Sequence, residues 1–536
     1  MFLRTLGNRL ATRGAAFALL LYDTNKQDSP IKARVMGQLL LPQSGIRQNR
    51  RNGDPVVFAS PPAPARGSLR EQPIRHSATA RQRALTDRQQ GGDTQGTYER
   101  YCGTPYEILL QGFHWESCKT RWRAQGPRSW YEILVENAPR IRRAGITYVW
   151  FPPPCRATKE DGEGYEPTRW HCFDSSYGTE SQLKAAIHAL QGPEGDGARA
   201  LADVVINHRC GTNDFADFSD PHFAGPGEHS PEGIARANCA AIATDDEWRR
   251  QHDCSLVDTP EESCYEKTTA GRHLDHHNRF VRAETKKWLK DWLRDHLGFA
   301  GFRYDMATGF PAKYVGQYND HAQPTMSVGE FWREDSQELA KWVRETCGGL
   351  HVVDGDPSRQ GGKSAALDFA LRARLWDAFS RGDFTALSTA GNKPPGLIGL
   401  WPNMAVTFIE NHDTEPIRGN GIAFPQDRIL AGYAYILTHP GKPTVFWSHL
   451  FDYGEDQFQQ SYQAVISQMI DIRRRNGIHS NSACRIMVAE KSLYAAVIDD
   501  CVAVKLGSSP SWRPTGSWAD RPLCCGKDFA IWSRCD

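Results

Sequence analysis

Eight short apolar runs punctuate the chain between Tyr106 and Arg475, and helical patterns fill most of the gaps between them. The runs are EILLQGF (107–113), ITYVWFPPP (146–154), ALADVVIN (200–207), FAGFRYD (299–305), MSVGEFW (326–332), SAALDFAL (364–371), MAVTFIEN (404–411) and PTVFWS (443–448). The third is almost wholly apolar, as befits a strand covered on both faces. Residues 130–145, 181–190 and 282–298 place their apolar positions at helical spacing, and Gly298 ends the last of them. Strands that alternate with helices in this way form parallel sheets, and eight repeats are enough to close one. The pattern predicts an α/β chain folded as a (β/α)8 TIM barrel.

One connection breaks the rhythm. About 75 residues separate Asn207 from the helix that starts near Arg282, and they are rich in Asp, His, Gly and Pro. A structureless loop of that length is rare in a compact domain, so the segment reads as a small inserted domain after strand 3. Beyond about residue 478 the helical patterns stop, and SLYAAVI, CVAVKLG and DFAIW alternate as short strands of a C-terminal antiparallel β-sheet domain. The first hundred residues are dominated by Arg, Gln, Pro, Ser and Gly with no sustained period, as in a leader with a disordered linker. The expected boundaries are 1–103 for the leader and linker, 104–207 and 276–477 for the two parts of the barrel, 208–275 for the insertion and 478–536 for the C-terminal sheet domain.

Composition removes several function classes. Lys+Arg is 64 and Asp+Glu is 63, so no net field draws nucleic acid or anionic lipid. No apolar run approaches the ~20 residues that span a bilayer. The 14 cysteines include no CxxC pair, which argues against a zinc site and leaves the redox compartment open. No Asn-x-Ser/Thr sequon occurs, which disfavours a glycosylated secreted protein. The stretch GAAFALLLY (14–22) follows Arg4, Arg9 and Arg13, and no acid precedes Asp23. That pattern favours organelle (plastid) targeting over a secreted or cytoplasmic destination.

In a TIM barrel, catalytic groups stand where strands end. Strand 3 ends with Asp203, Asn207 and His208, strand 4 with Arg303 and Asp305, strand 5 with Glu330 and strand 7 with His412 and Asp413. Three carboxylates from three strands, with an arginine and two histidines beside them, suit glycosidic cleavage. The oxocarbenium-like transition state needs an anion, and the departing oxygen needs a proton. Neighbouring carboxylates drive their pKa values apart, which keeps one protonated and another ionised. Arg303 shares a strand face with Asp305 and is expected to help hold it ionised, as an opposite charge does. The same constellation on this barrel also admits an aldolase or a metal-dependent isomerase.

At these residues the chain resembles the α-amylase family of glycoside hydrolases, in its plant-type branch. Four marker regions occur in order: DVVINH (203–208), GFRYDMATG (301–309), GEFW (329–332) and FIENHD (408–413). ILLQGFHWES (108–117), VWFPPP (149–154), FDSSYGT (173–179), AGYAYILTHPGKP (431–443), RRNGIHS (474–480) and FAIW (529–532) extend the likeness across about 104–536. The resemblance implies retaining endo-hydrolysis of α-1,4-glucosidic bonds in starch, glycogen and related glucans, by a monomer. Within it, Asp305 matches the nucleophile, Glu330 the general acid/base and Asp413 the third carboxylate. Arg303 matches the residue that orients the nucleophile, His208 and His412 those that bond the sugar, and Tyr165 and Trp332 aromatics that contact it.

The resemblance also implies Ca2+ between barrel and insertion. Asn207 matches a side-chain ligand and Gly309 a carbonyl ligand, with Asp246 and Asp258 as the expected further ligands and Asp245 and Asp253 as rivals. Two stretches depart from the family: 244–258 in the insertion, and TEPIRG (414–419), which replaces a usual small polar run just after Asp413. The alternatives to an endo-amylase are a transglycosylase or exo-α-glucosidase on the same site, and a catalytically silent glucan-binding protein.

Overall fold

The structure is a computed structural model that describes residues 97–119, 128–211, 220–221, 272–274, 276, 278–348, 360–451, 462–509 and 511–534. All eight expected strands form: β1 Leu109–Gln111, β2 Tyr148–Trp150, β3 Arg199–Val204, β4 Gly301–Tyr304, β5 Met326–Gly329, β6 Ala365–Leu367, β7 Ala405–Thr407 and β8 Lys442–Phe446. They pair in parallel in sequence order, and β8 returns to β1 through Thr444 and Leu109 to close the barrel. The strands are shorter than the apolar runs that announce them. The extra apolar residues lie in the turns, where Phe151, Val205, Ile206, Phe408 and Ile409 stay buried.

The barrel helices start on local signals. Helix α1 (Trp130–Arg143) opens on a capping box in which Ser129 and Glu132 bond each other's backbone N–H, and Arg140, Arg142 and Arg143 crowd its negative end. Helix α2 (Glu180–Gln191) repeats the box with Thr179 and Gln182. The predicted helix at 282–298 starts earlier, as α3 (Arg279–Lys287), and continues through π-helical turns at Trp288–His296. Within those turns Trp288 stacks on Trp170 at 4.7 Å and Trp292 on His171 at 4.7 Å. Helices α4 (Ala312–Ala322), α5 (Ser336–Glu345), α6 (Phe369–Arg381), α7 (Ile429–Thr438) and α8 (Gln463–Arg475) complete the ring.

Beyond α8, strands β9 (Cys484–Glu490), β10 (Leu493–Ile498), β11 (Val502–Leu506), β12 (Cys524–Gly526) and β13 (Phe529–Ser533) form an antiparallel sheet in the order β9-β10-β11-β13-β12. Its β10, β11 and β13 are the three strands expected from alternation. At the other end of the described chain, Thr97–Glu99 pairs in parallel with Gln360–Gly362, inside the segment that composition reads as linker. Glu99 there accepts a hydrogen bond from Trp401 Nε1 at 2.5 Å. A strand of three residues has too short a pattern to stand out from a polar leader. The ten described cysteines are all free thiols. Most of the proposed inserted domain, including Asp245, Asp246, Asp253, Asp258 and Asp275, lies outside the described residues.

Candidate active site

The site is built on β4. Alternation along this strand carries Arg303 and Asp305 to one face, and Arg303 is buried at 1 % exposure. Its guanidinium is the hub of the floor. Nη1 bonds Asp203 Oδ1 at 2.7 Å and Asp305 Oδ1 at 2.8 Å, and Nη2 pairs with Glu330. The strand register explains the first contact, since Asp203 of β3 lies directly beside Arg303 of β4. The second oxygen of Asp203 accepts from Trp150 Nε1 and from the Tyr165 hydroxyl, each at 2.9 Å. The guanidinium also lies over the Trp150 ring at 4.6 Å.

Backbone details aim the carboxylates. Met306, just after Asp305, adopts left-handed backbone at φ 41°, unusual for a residue with a side chain. Its N–H donates to Glu330 Oε2 at 3.0 Å. Such strain persists only where surrounding contacts enforce it, and functional sites are where it gathers. Gly329, before Glu330, leaves room for α5, because a Cβ there would lie 2.1 Å from the Trp342 ring. After β7, the Asn411 side chain accepts from the N–H groups of Asp413 and Thr414, each at 3.0 Å, and so fixes the turn that carries Asp413. Buried Glu410 holds the same loop by accepting from Phe424 N at 2.8 Å and from the Thr414 hydroxyl.

A cavity of about 240 Å³ opens above this floor, and Asp305, Glu330 and Asp413 all line it. Tyr165, His208, His412 and Trp332, expected as sugar contacts, line it too. Arg303 sits beneath. Tyr165 and His412 stack in parallel at 5.2 Å, and Trp332 stacks on Phe369 at 4.6 Å. His208 Nε2 donates to the Tyr165 carbonyl at 2.7 Å. Gln111 of β1 donates to His412 Nδ1 at 2.8 Å, which leaves Nε2–H facing Asp413 Oδ2 at 3.2 Å. Burial lowers the pKa of both histidines, so they act as neutral donors.

Arg303 does favour ionised Asp305, but burial outweighs it, and Glu330, Asp203 and Asp413 add repulsion, so the Asp305 pKa rises well above its usual value. Glu330 and Asp413 are raised as well, chiefly by burial, and Asp203 is pushed up to about 6 by the same cause. The physical reason is that one cation is shared among several carboxylates. Full ionisation of such a set is costly, so its members compete for the charge. A proton held beside ionised neighbours is the state that acid-assisted bond cleavage requires.

The strand-end argument found the carboxylates but missed the role of Asp203 as anchor of Arg303, and missed Trp115, Met306 and Thr308 as lining residues. The cross-strand register would have exposed Asp203. Trp115 falls within the ILLQGFHWES stretch, but its place in the cleft is not legible in a linear reading, because it depends on a loop 300 residues away, where Glu415 Oε1 accepts its N–H at 2.7 Å.

Of the expected metal ligands, Asn207 and Gly309 adjoin. A Cβ on Gly309 would lie 2.0 Å from Asn207 Oδ1, and that buried oxygen accepts no hydrogen bond within the described residues. An orphaned amide oxygen beside a glycine backbone is a donor set that suits a hard cation such as Ca2+. The expected partners Asp246 and Asp258 lie outside the described residues.

The chain is similar in sequence and in fold to known proteins. Residues 475–533 match the family described as alpha-amylase C-terminal beta-sheet domain. Over 80% of its length the chain is 34% identical to probable alpha-amylase 2 of Arabidopsis thaliana, covering 94% of that protein. Over the same share it is 32% identical to the chloroplastic alpha-amylase 3 of Arabidopsis thaliana, covering 44% of that longer protein. Among solved structures, the alpha-amylase of Geobacillus thermoleovorans complexed with acarbose superposes with a TM-score of 0.52 at 14% identity, over 76% of this chain and 87% of that one.

Proposed function

The chain belongs to the α-amylase family and hydrolyses α-1,4-glucans, and from that premise we propose how its cleft cuts the chain and which residues do so. The observation that carries the reading is the single Arg303 guanidinium joined to both Asp305 and Glu330 at the cavity floor. Two carboxyls on one guanidinium lie side by side, which supports the retaining spacing of about 5 Å over the wider gap an inverting enzyme keeps for water. Glu330 protonates the glycosidic oxygen while Asp305 attacks the anomeric carbon, and the aglycone leaves with that proton. Water, deprotonated by Glu330, then displaces Asp305 and releases product with its configuration kept. Asp413, with neutral His412 beside it, bonds the sugar hydroxyls. Tyr165 and Trp332 offer flat faces to the rings, and His208 bonds the sugar at the bond to be cleaved.

We assign endo cleavage, Ca2+ dependence and action as a monomer as parts of the same reading. Asn207 and the Gly309 carbonyl would hold the ion, with carboxylates of the insertion completing its shell. Ca2+ would tie the insertion to the barrel and brace the strand end that leads from Asn207 to His208. Digestion of soluble starch should yield a ladder of short maltooligosaccharides. Chelator should lower both activity and thermal stability, and Asn207→Ala should lower the melting temperature and blunt the chelator's effect. Glucose as sole product would overturn endo action, and chelation without consequence would overturn the metal. The likeness to a chloroplastic relative supports the plastid as compartment. Residues 1–96 fused to a fluorescent protein should enter plastids, and a fusion left in the cytosol would refute that.

A further inference from the structure

TEPIRG (414–419), where the chain departs from the family it resembles, makes two separate contacts with one wall of the cleft. Trp115 opens a short helical turn after β1, lines the cavity, and lies parallel to Tyr165 and His412 at 6.2 and 6.0 Å. Its backbone N–H is held by the carboxylate of Glu415, a charged side chain only 3 % exposed. Its indole ring is held by Arg418, whose guanidinium carbon lies 3.4 Å from the ring centroid. The two gripping residues bracket one turn, Pro416–Arg418: Glu415 precedes it and Arg418 ends it, and the turn closes on Gly419 in left-handed backbone at φ 64°. The turn is tied to the catalytic loop, because Asn420 Nδ2 donates to the Asp413 carbonyl at 2.7 Å.

We propose that Glu415 and Arg418 are positioning residues that clamp Trp115 in place as a wall of the cleft, and so set the affinity of the enzyme for its glucan chain. This deepens the glucan-hydrolase reading and rests on it. Without the clamp, Trp115 would have to be ordered at the expense of binding energy each time a glucan enters. With it, that ordering cost is met during folding, which is how preorganisation raises affinity. A planar cation on an indole face is suited to this task. It covers the ring with a flat face, which a compact ammonium cannot do. Arg418 touches none of the reacting atoms, but its charge also lowers the pKa of Asp413 and His412 through space. Lysine at this position keeps that charge, so a KM effect that lysine only partly restores belongs to the clamp.

The test is a kinetic cycle on soluble starch with Arg418→Ala, Trp115→Ala and the double variant. Arg418→Ala should raise KM about threefold to tenfold, the range a cation–π contact supports, with kcat within about twofold of wild type. Because Arg418 acts through Trp115, the double variant should bind no worse than Trp115→Ala alone. Arg418→Lys keeps the cation but not the planar face, and should recover part of the affinity. An unchanged KM in folded Arg418→Ala, or fully additive effects, would overturn the clamp. A fall in thermal stability with no change in KM would reduce it to a structural contact and equally overturn it. Wild-type enzyme unable to cut starch would instead sink the parent reading, so the two failures are distinguishable.

Discussion

Asp305→Asn should lower starch hydrolysis by at least about four orders of magnitude, the usual consequence of removing a covalent nucleophile. The amide has the shape of the carboxylate but cannot form the glycosyl ester. Folding should not suffer. Asp305 is one of several buried carboxylates around one arginine, and its ionisation is opposed by burial and by its neighbours. Replacing it relieves repulsion, and Arg303 keeps Asp203 and Glu330 as partners. The melting temperature should therefore hold or rise, the common trade between stability and activity at a strained site. Activity near the wild-type level in this variant would dismiss Asp305 as nucleophile.

Arg303→Met should have the largest effect on stability. It removes a cation that is 1 % exposed and leaves Asp203, Asp305 and Glu330 facing one another without a counter-charge. Breaking a buried pair in this way costs about 3–5 kcal/mol. The pH dependence has a definite sign. A carboxylate whose folded pKa is raised contributes stability in full below its unfolded value and loses it as pH climbs through the folded value. Asp203 already stands at about 6, and loss of Arg303 raises it and its neighbours further. The gap between variant and wild type should be widest above pH 7 and should narrow towards pH 4.5, where the acids are neutral and need no cation. Denaturant unfolding at several pH values measures this. A gap independent of pH would mean that Arg303 matters for packing against Trp150 and not for charge.

Much of this was legible without coordinates. Strand and helix identity follow from local periodicity, and a run such as ALADVVIN can satisfy its apolar side chains only between two covered faces. Capping residues such as Ser129 with Glu132 are equally local. Charges in an apolar strand, Arg303 and Asp305 above all, mark a site because burying them is costly unless they are paired. The boundaries were less legible. The strands end sooner than the apolar runs, since turn residues such as Phe151 and Ile409 are buried as deeply as the strands themselves. The strand at Thr97–Glu99 owes its existence to Gln360–Gly362, more than 250 residues away, and nothing local announces it.

The sequence by itself determined the barrel, the C-terminal sheet and the set of candidate catalytic groups, because periodicity and the cost of buried charge act within a few residues of chain. Only the tertiary structure decided how those groups share charge. Spacing put Arg303 next to Asp305 and predicted an ionised nucleophile. Strand pairing within the barrel brought Asp203 of β3 and Glu330, just after β5, to the guanidinium of β4 between them, and burial with their repulsion raises the Asp305 pKa. The tertiary fold likewise brought Glu415 and Arg418 onto Trp115. Electrostatic energy depends on distance and burial through space, and those are fixed only when distant segments meet.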